Sequence, residues 1–290
     1  MIPAYTFAVR SYSLLTKPGI MLGNAITVAG GFFLAARGHF SLLLFLETVV
    51  GLSLLIGSSC VFNNYIDRVA DAKMARTKNR ALVSGMISVR RALLFAILLG
   101  LFGVAFLFLF TNLLTLFVAV FGFFVYVILY SFSKYYSMHG TLVGSVAGAV
   151  PPIVGYTAVS HELDTGAFIL FAILALWQMP HFFAIALFRQ NDYAAAAIPV
   201  LPLVKGIHTT KVHMLLYVVA FLFVSPLLTV FGYTGYGYLI LALLLGLGWL
   251  WLSIRGFDPA TKDVRWARRM FTYSLVVITS LSIAMMLDYT

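Results

Sequence analysis

The residues of this chain best suited to chemistry form a short polar run in which an asparagine and two aspartates lie four residues apart. Asn63, Asp67 and Asp71 follow the hydrophobic segment 42–62 and precede several basic residues. Side chains at i, i+4 and i+8 share one face of a helix, so an amide oxygen and two carboxylates converge. Because Mg²⁺ prefers such oxygen ligands, the pattern predicts a metal and phosphate site. Solvated carboxylates at a helix end are the structural alternative.

Basic and aromatic residues near this motif could bind an anion. Anion-binding charge follows the motif directly, at Arg76, Lys78 and Arg80. Further along, Tyr126, Tyr130 and Lys134 repeat every four residues. This row could lead to a phosphate-binding ammonium group, or it could consist of interfacial aromatics with a snorkelling lysine.

A second polar segment interrupts an apolar run and is followed by charged residues. It contains Trp177, Gln178, Pro180 and His181. A proline inside a membrane helix frees a backbone carbonyl, which is tolerated only where protein or water satisfies it. His181 could line a polar cavity or simply hydrogen-bond another helix. Arg189 and Asp192 come next along the chain and favour the cavity.

The composition indicates an all-α, polytopic membrane protein. Hydrophobic residues make up 62% of the chain, charged residues only 10%, and the mean hydropathy is +1.01. Soluble domains contain roughly 25% charged residues. The apolar runs lack the alternation expected of barrel strands, and each is about as long as a spanning helix needs to be. Nine windows qualify: 20–36, 42–62, 92–110, 113–129, 140–159, 168–187, 214–231, 236–253 and 270–287.

The distribution of positive charge predicts a cytoplasmic N-terminus. With nine spans, Arg37 is the one basic residue outside, so 18 of the 19 Lys and Arg residues lie inside, as the positive-inside rule requires. The net charge of +10 is therefore a topology signal and does not indicate a nucleic-acid partner. The N-terminal segment has neither signal-peptide nor import-presequence character, which favours a bacterial inner membrane with the active site on the cytoplasmic side. A single cysteine, Cys60, excludes an internal disulfide.

Five separated motifs resemble those of a known family. Asn63-xxx-Asp67-xxx-Asp71 followed by Arg76-Thr77 resembles the first aspartate-rich motif of the intramembrane aromatic prenyltransferase superfamily, and Tyr130-xxx-Lys134 resembles its tyrosine–lysine element. Segments 60–67, 76–80 and 177–181 are similar to the heme-modifying branch of that superfamily. The resemblance runs from residue 16 to the last span, and it implies one transmembrane prenyltransferase domain over residues 1–290.

This resemblance implies nine helices in one bundle around a central cavity, with Mg²⁺ as the cofactor. It implies an enzyme that transfers a farnesyl group from farnesyl diphosphate to a vinyl group of heme B, giving heme O. In the family's pattern Asn63, Asp67 and Asp71 bind Mg²⁺ and diphosphate, with Asp192 contributing from a second motif. This second motif is reduced to one aspartate, as in heme-modifying members.

Other roles follow from the same resemblance. The candidates for binding the diphosphate are basic: Arg76, Lys78, Arg80, Lys134 and Arg189. The candidates for lining the heme site or cavity are Trp177, Gln178, His181 and Tyr130. Besides the lipid bilayer and the two substrates, the resemblance implies a partner that receives the product, either an oxidase or a downstream heme-modifying enzyme.

Two alternatives belong to other classes of function. A quinone-pathway prenyltransferase acting on an aromatic acid would need a fuller second motif than Asp192 provides. A cation transporter would use Asp67 and Asp71 as a gate. Against transport, the acidic residues cluster at one membrane end beside basic groups, and five of the nine spans carry no acidic residue at depth.

Overall fold

The computed structural model describes residues 4–289, with side chains from residue 10 onward. This part of the chain is helical, apart from turns and one isolated bridge between Thr234 and Tyr289. The α-helices, in chain order, are α1 (Ala4–Leu15), α2 (Pro18–Ala36), α3 (Leu42–Lys73), α4 (Val89–Phe110), α5 (Leu113–Phe124), α6 (Ser131–Tyr136), α7 (Gly140–Gly148), α8 (Val150–Ser160), α9 (Thr165–Phe188), α10 (Gln190–Ala195), α11 (Leu201–Val204), α12 (Gly206–Val224), α13 (Leu227–Val230), α14 (Tyr236–Arg255) and α15 (Asp263–Leu287). A π-helical turn (Val125–Tyr130) joins α5 to α6.

Nine helical segments within the described residues are long and apolar enough to cross a membrane, which confirms the predicted all-α bundle of nine. The largest differences from the predicted windows are at helix ends. α3 continues to Lys73 instead of stopping at 62, α12 begins at Gly206 instead of 214, and α15 begins at Asp263 instead of 270. Hydropathy cannot find these turns because they are polar. They remain helical because neighbouring elements engage their side chains, as described below.

Contacts between the connecting segments define two ends of the bundle. At one end Lys17 reaches Asn63, and Lys211 donates to the Gly256 carbonyl at 2.6 Å. We call this the basic end, because all but one of the 19 Lys and Arg residues lie in the segments that meet there. At the opposite end Tyr233 donates to Asp164 at 3.0 Å. Successive spans therefore alternate in direction, and α3 and α9 both finish at the basic end.

The first and fifth spans pack closely because glycines replace side chains at their contact. A Cβ on Gly31 of α2 would lie 2.0 Å from the carbonyl oxygen of Pro152, and one on Gly155 of α8 would lie 2.2 Å from that of Val28. Only a residue without a Cβ allows this approach of two backbones, as in small-residue contacts between membrane helices. α2 and α8 therefore form a close pair, which packs beside Leu52 and Leu55 in the middle of α3.

Large apolar side chains cover the outer surface of the bundle. Phe117 is 80% exposed, Leu109 is 69% exposed and Phe102 is 63% exposed. Exposure on this scale would be an aggregation hazard in water, whereas in a bilayer these side chains contact lipid. The buried core is centred on α9 and α15, with Phe221 of α12 and Trp249 of α14 packed edge to face.

Candidate active site

Three cations from three different elements meet one face of α3. Asn63, Asp67 and Asp71 occupy this face at the predicted helical spacing. Lys17 reaches Asn63, Lys134 reaches Asp67, and Arg80 reaches Asp71. Sequence analysis predicted Lys134 and Arg80 as partners of an anion, but it assigned no role to Lys17. We call these six residues the α3 charge row.

Lys17 is held in place by its backbone as well as by its contact. Its φ of 54° and ψ of 69° lie in the left-handed region, which is costly for a residue with a Cβ and persists only where the surroundings enforce it. Pro18 at the start of α2 fixes the next turn. The ammonium group donates to Asn63 Oδ1 at 2.7 Å. Burial lowers the pKa of Lys17 to about 8, so the group is still mostly protonated at neutral pH.

Asp67 is bound from two sides by consecutive residues of α6. Lys134 Nζ lies 2.7 Å from Oδ2, and the Tyr135 hydroxyl donates to Oδ1 at 2.7 Å. The π-helical turn before α6 contains more residues per turn than an α-helix, and it sets the rotation at which this pair faces α3. Tyr130 lies beside the pair, with the Lys134 ammonium 5.1 Å from its ring centroid, and its own ring stacks on that of Tyr126.

Asp71 is almost fully buried and is held by the segment that follows α3. Arg80 donates to Asp71 Oδ2 at 2.6 Å and to Asn64 Oδ1 at 3.2 Å. Thr77 donates its hydroxyl to the Asp71 backbone carbonyl at 2.9 Å. These contacts fold the basic segment back over the end of α3. Two of the three ion pairs found within residues 10–289 belong to the α3 charge row.

The segment after α9 packs against the last turns of α3 and brings the second motif to the same end. Ala196 and Ile198 form an apolar cluster with Ala70 and Met74. Tyr193 packs against this cluster, and burial raises the pKa of its hydroxyl. Arg76 and Arg189 oppose that rise, while Asp192 and Asp67 add to it. The segment that carries Asp192 therefore lies beside the end of α3 that carries the charge row.

The remaining predicted basic residues are more open. Arg76, Lys78 and Arg189 are exposed, and the guanidinium of Arg189 lies 5.6 Å from the ring centroid of Phe188. None of the ion pairs found within residues 10–289 involves them. These three side chains are therefore available to an anion arriving from outside the bundle.

Trp177 and His181 are brought together deeper in the bundle, on the side of α9 that faces α15. Their rings stack at a centroid distance of 4.8 Å, and Trp177 Nε1 donates to the Ser274 carbonyl at 2.7 Å. The His181 imidazole meets the Ser274 hydroxyl at 2.7 Å and packs against Phe271. These two predicted residues thus share one partner on α15.

Gln178 lies on a different side of α9 and is engaged by helix carbonyls. Its amide nitrogen donates to Ser145 at 3.2 Å and to Leu174 at 3.0 Å, and its side chain fills the space left by Gly148. The side chain is buried and ties α9 to α7. The structure therefore does not group Gln178 with Trp177 and His181.

The α3 face has the donor chemistry of a magnesium site that is completed by substrate. Among the described residues, no three His, Cys, Asp or Glu side chains cluster as a self-sufficient metal site. Mg²⁺ is usually held by one or two carboxylates together with substrate phosphates and water. Asp67 and Asp71, with the amide oxygen of Asn63, fit that mode.

Sequence analysis missed several side chains that the fold brings to these groups. Lys17 lies 46 residues from Asn63, Tyr135 lies 68 residues from Asp67, and Ser274 lies 93 residues from His181. Local spacing carries no signal for such contacts. The one available hint was Lys17-Pro18, a basic residue placed where the first span begins.

Comparison with known proteins identifies the family. A sequence model described as the UbiA prenyltransferase family matches residues 24–275. A protoheme IX farnesyltransferase from Cronobacter sakazakii is 52% identical over 282 residues, covering 97% of this chain and 95% of the relative. The protoheme IX farnesyltransferase of Protochlamydia amoebophila is also 52% identical, over 280 residues, covering 97% of this chain and 99% of the relative.

Solved structures share the fold at low sequence identity. A structure described as digeranylgeranylglyceryl phosphate synthase superposes with a TM-score of 0.78 at 18% identity, covering 96% of this chain and 98% of that one. A UbiA homolog from Archaeoglobus fulgidus bound to GPP and Mg²⁺ gives a TM-score of 0.68 at 15% identity, covering 95% and 99%. A nine-span bundle with an aspartate row at its basic end, matched along nearly its whole length, makes this chain a member of the UbiA prenyltransferase family.

Proposed function

We propose that this protein transfers a farnesyl group from farnesyl diphosphate to a vinyl group of heme B, giving heme O. The observation that carries the proposal is the α3 charge row, in which two carboxylates and an amide are each met by a cationic side chain. The relatives named protoheme IX farnesyltransferase, about half identical along the full length, support the choice of substrates.

Binding of the diphosphate exchanges the partners within the α3 charge row. Lys134 and Arg80 turn from Asp67 and Asp71 to phosphate oxygens, and Lys17 turns from Asn63. An arginine suits two-point contact with phosphate, whereas a lysine acts as a point charge. Arg76, Lys78 and Arg189 add exposed positive charge at the entrance, and Asp192 contributes a further carboxylate.

Departure of the leaving group then needs charge stabilisation. Asn63, Asp67, Asp71 and Asp192 would hold Mg²⁺ together with the diphosphate, and the ion would supply neutralisation of the charge on the departing oxygens. The cations of the α3 charge row stabilise the same developing charge. The bond between farnesyl C1 and the diphosphate oxygen breaks with its electron pair on oxygen, which leaves an allylic cation. The apolar bundle keeps water away from this cation until the acceptor is in place.

The acceptor supplies the new carbon–carbon bond. The terminal carbon of a heme vinyl group attacks farnesyl C1, and the positive charge moves to the inner vinyl carbon. Water adds to that carbon and loses one proton, which leaves a hydroxyethylfarnesyl substituent. His181 and Trp177 lie about two and three helical turns from the end of α9 and contact the porphyrin. Tyr130 lines the space between them and Lys134. Gln178 supports this wall by tying α9 to α7.

The reaction takes place at the cytoplasmic side of a bacterial inner membrane. The basic end carries all but one of the lysines and arginines, which retains it in the cytoplasm under the positive-inside rule. The product heme leaves for a hemoprotein oxidase or for a further heme-modifying enzyme.

The test is product identity with the full chain in lipid nanodiscs. Heme B, farnesyl diphosphate and Mg²⁺ are expected to yield heme O, detected by mass, and the product should disappear when the metal is chelated. No heme O from folded protein would refute the substrate assignment. Prenylation of 4-hydroxybenzoate in the same preparation would instead support the quinone-pathway alternative.

A further inference from the structure

The hydrogen bonds around His181 fix the position of its ring proton. Ser274 Oγ donates to the Phe271 carbonyl at 2.6 Å, and it lies 2.7 Å from His181 Nδ1. A serine hydroxyl has one proton, and here the carbonyl takes it. This arrangement suits the tautomer in which Ser274 Oγ accepts a hydrogen bond from Nδ1–H of His181. The neutral imidazole then carries no proton on Nε2.

The other ring nitrogen of His181 keeps a free lone pair. No hydrogen bond to Nε2 is found among residues 10–289, in contrast to Nδ1. Within that range, the buried side-chain nitrogen and oxygen atoms that lack a hydrogen-bond partner are Ser225 Oγ and Trp249 Nε1. His181 Nε2 is not one of them, so this atom keeps some accessible surface. The residue as a whole is nevertheless only 9% exposed. Desolvating an unpaired polar atom is unfavourable, which favours a ligand at Nε2.

The surroundings of His181 match those of a heme-iron ligand. Metal-binding histidines almost always donate their second ring N–H to a fixed acceptor, which sets the tautomer and the ring orientation. Ser274 is that acceptor here. Trp177 and Phe271 both pack against the imidazole, each at a centroid distance of 4.8 Å, and restrict its rotation. These rings make the surroundings of the imidazole largely apolar.

We propose that His181 binds heme B through the iron, with Nε2 as an axial ligand and Ser274 as the positioning residue that holds the required tautomer. This inference rests on the proposed function, because it takes heme B as the acceptor. The alternative contact, a hydrogen bond to a heme propionate, requires a proton on Nε2, which the Ser274 contact places on Nδ1 instead. An electrophilic iron matches the lone pair directly.

The experiment records the spectrum of the heme iron and does not depend on the rate of heme O formation. Ferric heme B is added, without farnesyl diphosphate, to the full chain in nanodiscs, and visible absorption and electron paramagnetic resonance are recorded. Wild-type protein is expected to give the signature of histidine ligation. His181→Ala should lose that signature, whereas His213→Ala, which removes another half-buried membrane histidine, should retain it.

Two further variants separate ligation from a role in folding. In His181→Gly, added imidazole should restore the histidine signature, because the free ligand occupies the space of the lost ring. Ser274→Ala should keep the signature but bind ferric heme about 10- to 100-fold more weakly, the usual effect of removing the group that orients a ligand.

The outcomes distinguish this inference from the proposed function. If wild-type protein forms heme O while His181→Ala binds ferric heme with the wild-type spectrum, iron ligation by His181 is refuted and the activity stands. If wild-type protein neither binds heme B nor forms heme O, both are refuted. Failure of imidazole to change the His181→Gly spectrum would also overturn the inference.

Discussion

At the scale of single residues, the main finding is that Asn63, Asp67 and Asp71 on α3 each have a cationic partner. Asp67 is bound by Lys134 and Asp71 by Arg80, both with low exposure of the carboxylate, which is 15% and 2% respectively. Buried carboxylates without such partners would be strongly destabilising. The cations therefore stabilise the folded site and are also the groups that bind an anion.

Replacing either aspartate should be far more damaging to rate than replacing an aspartate elsewhere at the same end. Asp67→Ala or Asp71→Ala should lower turnover on the order of 10²-fold or more, the scale seen when a charge-stabilising group is lost. Heme O formation measures this. Asp263→Asn, which removes an ion pair with Lys211 away from the α3 face, is the matched control. Near-normal turnover in both alanine variants would show that the motif has another role.

Lys17 should bind the diphosphate although this residue lies outside the aspartate-rich segment. Lys17→Met should lower kcat/KM for farnesyl diphosphate by about 10- to 100-fold, the range for a lost hydrogen bond to a charged group. Steady-state kinetics at saturating heme B measure it. Lys262→Met removes an exposed lysine at the same end and should have little effect. Equal losses in both variants would point to overall charge as the cause.

At the scale of elements, the π-helical turn determines which residues of the fourth span face α3. Ser131 donates its hydroxyl to the Tyr126 carbonyl five residues earlier, at 3.1 Å. π-helical turns are rare and are often found at functional sites. Here the turn directs Lys134 and Tyr135, which are adjacent in sequence, to the two oxygens of Asp67. A regular α-helix would present them differently.

Removing one residue from this turn should therefore abolish the contact with Asp67. Deletion of Ile128, which is exposed, should restore α-helical pitch and rotate α6 by about 100°. Heme O formation should then fall on the order of 10²-fold, because Lys134 no longer faces the leaving group. Ile128→Ala keeps the chain length and should remain active. An active deletion variant with an unchanged thermal unfolding midpoint would contradict this account of the turn.

At the scale of the whole molecule, the bundle separates a charged end from an apolar body. The basic end gathers the segments after α3 and α9, whereas Tyr156 and Tyr233 share Asp164 at the opposite end. In a membrane this asymmetry predicts that the basic end faces the cytoplasm, because lysine and arginine in short loops are retained there.

Thiol labelling of intact cells should establish that orientation. Glu162→Cys, at the opposite end, should react with a membrane-impermeant maleimide in intact cells. Ala260→Cys, at the basic end, should react only after the cells are permeabilised. Both positions are exposed, and the natural Cys60 is buried and should give little background. Labelling of Ala260→Cys in intact cells would reverse the proposed orientation.

The sequence predicted what depends on local spacing and on composition. The number of spans followed from hydropathy, and the shared face of Asn63, Asp67 and Asp71 followed from helical periodicity. The π-helical turn could not be predicted, because its residues differ little from those of an ordinary apolar helix. The contacts of Lys17 with Asn63 and of Ser274 with His181 also depend on helix packing, which no single segment encodes.

The ion pairs of Asp67 and Asp71 also affect the order in which the metal ion and the diphosphate bind. A divalent ion alone would have to displace Lys134 and Arg80 from Asp67 and Asp71, leaving two cations without counter-ions. A polyanion alone would leave two carboxylates in the same position. A magnesium diphosphate supplies both replacements in one exchange. The site is therefore expected to take up the metal ion and the diphosphate together, with the uptake of each depending on the presence of the other.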